Sequence, residues 1–222
     1  MSVAIFNDEV LIESITEKIT NNKIDKLSLL IKNMIDLVKP NTLGRIFFTK
    51  GPGSYTAMRS IKALAQGVSV LSNAKVIAVD NFQIYLNDLK LRPEPNIITV
   101  FFIDFSEKYF LRNYTISKEK IYRPVDDFKH LSLEKLEPKI ETILESNKEI
   151  LFITDKSFTL NKKLENFRKK FEFVEPNAVS VANAYFSGYG TVDSNGNWSP
   201  SSLNPNNLEV FGKNVAEDFN VE

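Results

Sequence analysis

The stretch Thr49-Lys50-Gly51-Pro52-Gly53-Ser54-Tyr55-Thr56-Ala57-Met58-Arg59 is where residue types and spacing come nearest to chemistry. Two glycines flanking a proline make a tight turn that few other residues can adopt. Ser54 and Thr56 are both candidate N-caps for the helix that follows. The amides at such a helix start can bind an anion, so a phosphate cradle and a plain structural turn both stand as readings. The run is not a Walker A loop, because no Gly-Lys-Ser/Thr closes it, and no third glycine makes it GxGxxG. In the phosphate reading, Asp80 or Asp104 would hold magnesium and the chain would be an ATP-using enzyme. In the structural reading both aspartates are turn caps.

Composition removes other chemistries. The 222 residues contain no cysteine and a single histidine, His130, so thiolate metal sites, cysteine nucleophiles and histidine clusters are excluded. His130 lies in a polar run, Asp126-Asp127-Phe128-Lys129-His130, and is expected on the surface. Lys plus Arg number 28 and Asp plus Glu 28, so no basic surplus is present to meet phosphates, and strong RNA binding by this chain alone is disfavoured. No membrane-length apolar run and no signal-peptide pattern is seen, and the expectation is a cytoplasmic protein. At 43% hydrophobic the chain can bury a core.

The elements that must position the turn alternate. Ser2–Phe6 and Val10–Ser14 read as a hairpin about Asn7-Asp8-Glu9. Asp25–Val38 has the one-face apolar pattern of a helix, with Pro40 as its stop. Ile46–Thr49 is a strand running into the glycine turn, and Thr56–Leu71 a helix behind it. Val76–Val79 and Phe82–Leu89 complete a first lobe, residues 1–92. Lys90–Asn96 reads as a linker. The second lobe, 97–222, is expected to hold strands at Ile97–Ile103, Tyr109–Ile116, Ile150–Thr154 and Phe171–Val174. Its helices are expected at Ser132–Ser146, Asn161–Lys170 and Ala178–Tyr189, with an irregular end at Thr191–Asn207. The fold class is α/β, with parallel pairing in part of the sheet.

The helix after the turn carries two faces. Ala57, Met58, Ile61, Leu64, Ala65 and Val68 form an apolar stripe, while Ser60, Ala63 and Gly67 form a face of small residues. Small side chains let another helix approach closely. That helix is either the neighbour Asp25–Val38 or one from another protein.

Gly51-Pro52-Gly53-Ser54-Tyr55-Thr56-Ala57-Met58-Arg59, with Ala65-Gln66-Gly67 behind it, resembles the motif of the TsaB (YeaZ) family. Ser2–Asp8, the helix from Asp25 and Val76–Asn81 fall where the family has them. Ile103–Tyr109 is a looser match. The resemblance implies an actin-like, ribonuclease H-like pair of α/β lobes with mixed sheets, and a non-catalytic protein without cofactor or metal. It implies a TsaD-like transferase as partner and a TsaE-like ATPase in the same complex; a homodimer stays open as the alternative pairing, and an orphan self-associating domain as an alternative reading. The modified tRNA would be touched only indirectly, through the enzyme that places threonylcarbamoyl on an adenosine beside the anticodon. Gly51, Pro52, Gly53, Ser54, Thr56 and Arg59 are the motif positions by carry-over, shaping the turn and helix start. Leu30, Met34, Ser60, Ala63 and Gly67 would lie in the partner interface. Family members usually open with one more strand, central in the sheet, and its absence would leave a gap between strands. The family's glycine is Ala57 here, no arginine stands at Phe105-Ser106, and the family's closing element is at best Pro205–Glu209.

Overall fold

Ile97–Ile103 carries seven residues whose side chains alternate between two apolar layers, and the second half of the fold is built around it. In the computed structural model, which describes residues 1–18, 23–38, 42–89, 97–103, 107–116, 122–146 and 149–189, this strand lies inside a six-stranded sheet. With strands numbered along the chain, β1 is Ser2–Asn7, β2 Val10–Thr16, β3 Arg45–Gly51, β4 Lys75–Asp80 and β5 Ile97–Ile103. β6 is Lys108–Ile116, β7 Tyr122–Pro124, β8 Lys129–Ser132, β9 Ile150–Asp155 and β10 Phe171–Val174. The helices are α1 Lys23–Ile35, α2 Tyr55–Ser72, α3 Asn81–Asn87, α4 Leu133–Ser146, α5 Lys162–Glu165 and α6 Ala178–Ala184.

The large sheet runs β10-β9-β5-β6-β7, with β8 also paired to β6. β5 is parallel to β9 and antiparallel to β6. Ile98, Val100 and Phe102 point to one side, where Phe82, Tyr85 and Leu86 of α3 meet them. Phe101 points to the other, among Leu136, Ile140 and Leu144 of α4. Period-two burial on both faces is what a central strand between two layers requires.

In the first half, β1 and β2 form an antiparallel hairpin whose two-residue loop has Asp8 at φ 52°, a conformation aspartate tolerates better than most residues. β3 and β4 pair in parallel. α1 packs on β1, and α2 on β3 and β4. α6 comes from the second half of the sequence yet packs on β1 and β3, so the last helix crosses back to the first half.

Several expectations change. The helix expected over Asn161–Lys170 is one turn of α-helix, with a 3₁₀ turn at Arg168–Lys170. Only Leu164 of α5 is buried, too little apolar surface to hold a longer helix. The helix expected over Ala178–Tyr189 is α6 followed by a π turn at Tyr185–Tyr189. His130 is not a plain surface residue. It sits half-buried in β8, its ring stacked 4.6 Å from that of Phe110. Lys90–Asn96, Asp104, Phe105-Ser106, Thr191–Asn207 and Pro205–Glu209 lie outside the described residues.

Candidate functional site

Gly51 ends β3 with φ 97°, a backbone open in practice only to glycine. The Gly51–Pro52 peptide is cis. A Cβ on Gly51 would lie 2.5 Å from Met58 Sδ, so the helix behind the turn already occupies that space. Asn81, the first residue of α3, donates from Nδ2 to the Pro52 carbonyl at 2.7 Å and fixes the turn against the next helix start. Ser54 caps α2, its Oγ accepting from the Ala57 amide at 3.4 Å. Gly51 and Pro52 are buried, Gly53 and Ser54 half-buried, and Thr56 and Arg59 exposed. Gly51→Ala is expected to destabilise the protein by about 1–3 kcal/mol from the backbone conformation, with displacement of Met58 adding to that. The urea midpoint measures it; an unchanged midpoint would contradict the tight fit.

A group of charges distant in sequence meets under this turn. Lys50 is buried, and burial draws its ammonium below the usual lysine range while neighbouring Asp80 opposes the shift. Burial holds the Asp80 carboxyl above the ordinary carboxylate range, opposed by Lys50, by Arg112 of β6 and by the Phe82 and Gln83 amides. Asp80 caps α3, accepting from the Phe82 amide at 2.9 Å. Arg112 also lies over the rings of Phe82 and Tyr114, each 5.9 Å away. The expectation that Asp80 might face magnesium meets a carboxylate already used as a helix cap. Among the described residues no three His, Asp or Glu side chains come together as a metal cluster. A second tie runs between halves: Tyr85 donates to Asp155 at 2.5 Å, and the other oxygen of Asp155 accepts the Ile103 amide at 3.1 Å. Burial holds the Asp155 carboxyl above its ordinary range. Sequence reading missed both groups, because their members lie up to 70 residues apart.

The outer surface of α2 is different in kind. Ala63 and Gly67 are exposed, and nothing among the described residues lies within 4 Å of where a Gly67 Cβ would sit. Val70 is 85% exposed and Leu71 78%, continuing the same line one turn on. Leu29 on α1 and Leu37, in the turn just past its end, are exposed. Ser60 is half-buried, its hydroxyl donating to the Thr56 carbonyl at 2.9 Å. Leu30 and Met34 correct the expected interface: at 5% and 1% exposure they face the core of this chain and cannot meet a partner. α1 is apolar on the side that covers β1, and a one-face pattern says only that a face is covered, not by what. Val70 and Leu71 of α2, Leu29 of α1 and Leu37 just beyond it, which sequence reading did not single out, are apolar side chains presented outward. The Asn73 cap in the left-handed region (φ 58°) ends α2 just beyond Leu71.

Comparison with known proteins places this arrangement. The family model described as TsaD, tRNA N6-adenosine threonylcarbamoyltransferase, matches residues 17–191. The chain is 25% identical, over 81% of its length and 80% of the relative's, to the tRNA threonylcarbamoyladenosine biosynthesis protein TsaB of Buchnera aphidicola subsp. Acyrthosiphon pisum. Its fold is similar to that of YeaZ from Pseudomonas aeruginosa, with a TM-score of 0.58 at 15% identity, covering 86% of this chain and 89% of that one. A second Pseudomonas aeruginosa structure, an uncharacterized protein with similarity to peptidase YEAZ, gives 0.59 at 15% identity over 86% and 88%. The fold is thus the actin-like, ribonuclease H-like α/β class that the sequence implied. The chain belongs to the TsaD threonylcarbamoyltransferase family, in its TsaB (YeaZ) group.

Proposed function

We propose that this protein is a non-catalytic scaffold of threonylcarbamoyladenosine formation in tRNA, pairing in the cytoplasm with a TsaD-like transferase. The observation that carries the reading is the open stripe Ala63, Gly67, Val70 and Leu71 on α2, apolar, small at its first two positions and uncovered by the described residues. A stable interface takes roughly 800 Å² per partner, more than one helix face supplies, and the exposed Leu29 of α1 and Leu37 just beyond that helix extend the surface. The small side chains at 63 and 67 allow a partner helix to approach closely. The motif residues Gly51, Pro52, Gly53 and Ser54 form the turn from which α2 starts, with Thr56 and Arg59 in the first turns of the helix, and so set the direction of that face. Their charged surroundings, Lys50, Asp80 and Arg112, are engaged within the chain.

In this reading the protein has two lobes, residues 1–92 and 97–222, needs no cofactor or metal, and meets tRNA only through its partner. A TsaE-like ATPase joins the complex, and a homodimer through the same stripe is the state without the transferase. Threonylcarbamoyl transfer reconstituted with the transferase from the same organism tests the proposal. The chain alone should turn over nothing, and its addition should raise the transferase rate severalfold. A transferase equally active with and without it would overturn the reading.

A further inference from the structure

Among the described residues β1 pairs only with β2, and β3 only with β4, so each of these strands has one edge that meets no other strand. The helices fix how the two pairs sit. α6 packs on β2, β1 and β3, and α3 packs on β3 and β4. The order across the first lobe is therefore β2, β1, β3, β4, and the free edges of β1 and β3 face one another beneath α6. Phe186, in the turn after α6, reports their spacing. Its ring lies 5.6 Å from that of Phe6 on β1 and 5.7 Å from that of Phe47 on β3. Strands flanking one intervening strand stand about 10 Å apart, the span a ring wedged between two others covers.

Burial agrees with an incomplete layer. Every residue from Ser2 to Phe6 is only half-buried, on both faces, whereas β4 buries Ile77, Ala78 and Val79. Two-stranded ribbons are marginal by themselves, parallel pairs normally have company on both sides, and unpaired backbone groups beneath a helix are costly.

We propose that the slot between β1 and β3 is a strand-binding site whose occupant is this chain's own run Leu208-Glu209-Val210-Phe211. The described chain leaves at Tyr189, three positions beyond the Phe186 ring at the mouth of the slot. Residues 190–207, rich in Ser, Asn, Gly and Pro, separate that point from Leu208. For 18 residues of such Ser-, Asn- and Gly-rich composition the root-mean-square reach of a chain is about 23 Å, close to the ~20 Å of a six-residue strand. Tethering at that length gives an effective concentration in the millimolar range, which favours the chain's own segment over a second copy. Leu208 and Val210 would serve one face of the layer and Phe211 the other, where a middle strand needs apolar groups on both. Glu209 is the one charge in the run. This inference concerns the first lobe and does not rest on the partner reading.

Hydrogen–deuterium exchange on the full chain tests it, comparing wild type with Val210→Pro and with Val192→Pro as the linker control. Proline cannot join a central strand, so Val210→Pro should empty the slot. The alternate amides of β1 and β3 that point away from β2 and β4 should be protected in wild type and Val192→Pro. In Val210→Pro they should exchange at least roughly tenfold faster, while the amides of β5 keep their protection and show the chain still folded. Fast exchange of the slot amides in wild type would overturn the proposal. So would unchanged protection in Val210→Pro, or protection that grows with protein concentration together with dimer formation, which would assign the slot to a second copy.

Discussion

Phe82→Ala should cost about 3–5 kcal/mol, among the largest losses of stability expected from a single substitution in this protein. Phe82 is fully buried, at 0% exposure, on the short helix α3. Its ring lies 5.0 Å from that of Phe102 on β5, 6.4 Å from Tyr114 on β6 and 6.0 Å from Phe128, with the Arg112 guanidinium 5.9 Å over it. Those partners belong to the second half of the chain, while α3 follows directly on β4 of the first. Truncation opens a cavity where the two halves meet and strips Arg112 of an aromatic face beside the Asp80 carboxylate. A midpoint some ten degrees lower follows for a chain of this size. Phe82→Leu, which keeps most of the volume, should lose far less. Thermal and urea unfolding measure both, and a loss below about 1 kcal/mol for the alanine variant would contradict a rigid junction at this point.

Gly67→Arg should abolish pairing with the transferase while leaving the monomer as stable as before or slightly more so. Nothing among the described residues lies within 4 Å of a Cβ at this position, so the arginine meets no described neighbour. Glycine in a helix interior is less favourable than arginine by nearly 1 kcal/mol, which sets the sign of the stability change. Across an interface the same side chain would hold the opposing helix off by its own length and bury a charge without a partner. A loss of roughly 3 kcal/mol, about a hundredfold in affinity, is expected, and Ala63→Arg one turn earlier should act the same way. Equilibrium titration against the transferase, with circular dichroism of each variant, separates the two effects. A variant that unfolds, or that binds as wild type, would remove α2 from the interface.

What could be read from the sequence follows from how local each cause is. The cap and turn before α2 depend on Gly51, Pro52, Gly53 and Ser54 alone, and their residue types specify the geometry directly. The period of α1 and the strand Ile97–Ile103 were legible for the same reason. β7 and β8 were not, because Tyr122–Pro124 and Lys129–Ser132 are short, polar pieces held by pairing with β6. Which way α1 turns its apolar face was also hidden, since Leu30 and Met34 would look the same whether they met β1 or another protein. Among the described residues β1–β2 and β3–β4 stand as two separate two-stranded sheets, an arrangement no local signal in the chain announces. The charges of Lys50, Asp80 and Arg112 meet only through the tertiary fold, and no spacing in the chain announces them.

The central claim is that α2 presents a surface made for a partner, and sedimentation of the chain mixed with the transferase from the same organism tests it most directly. A single boundary with the mass of a one-to-one complex, lost with Gly67→Arg, is the predicted result. Two components sedimenting independently at concentrations well above micromolar would contradict it.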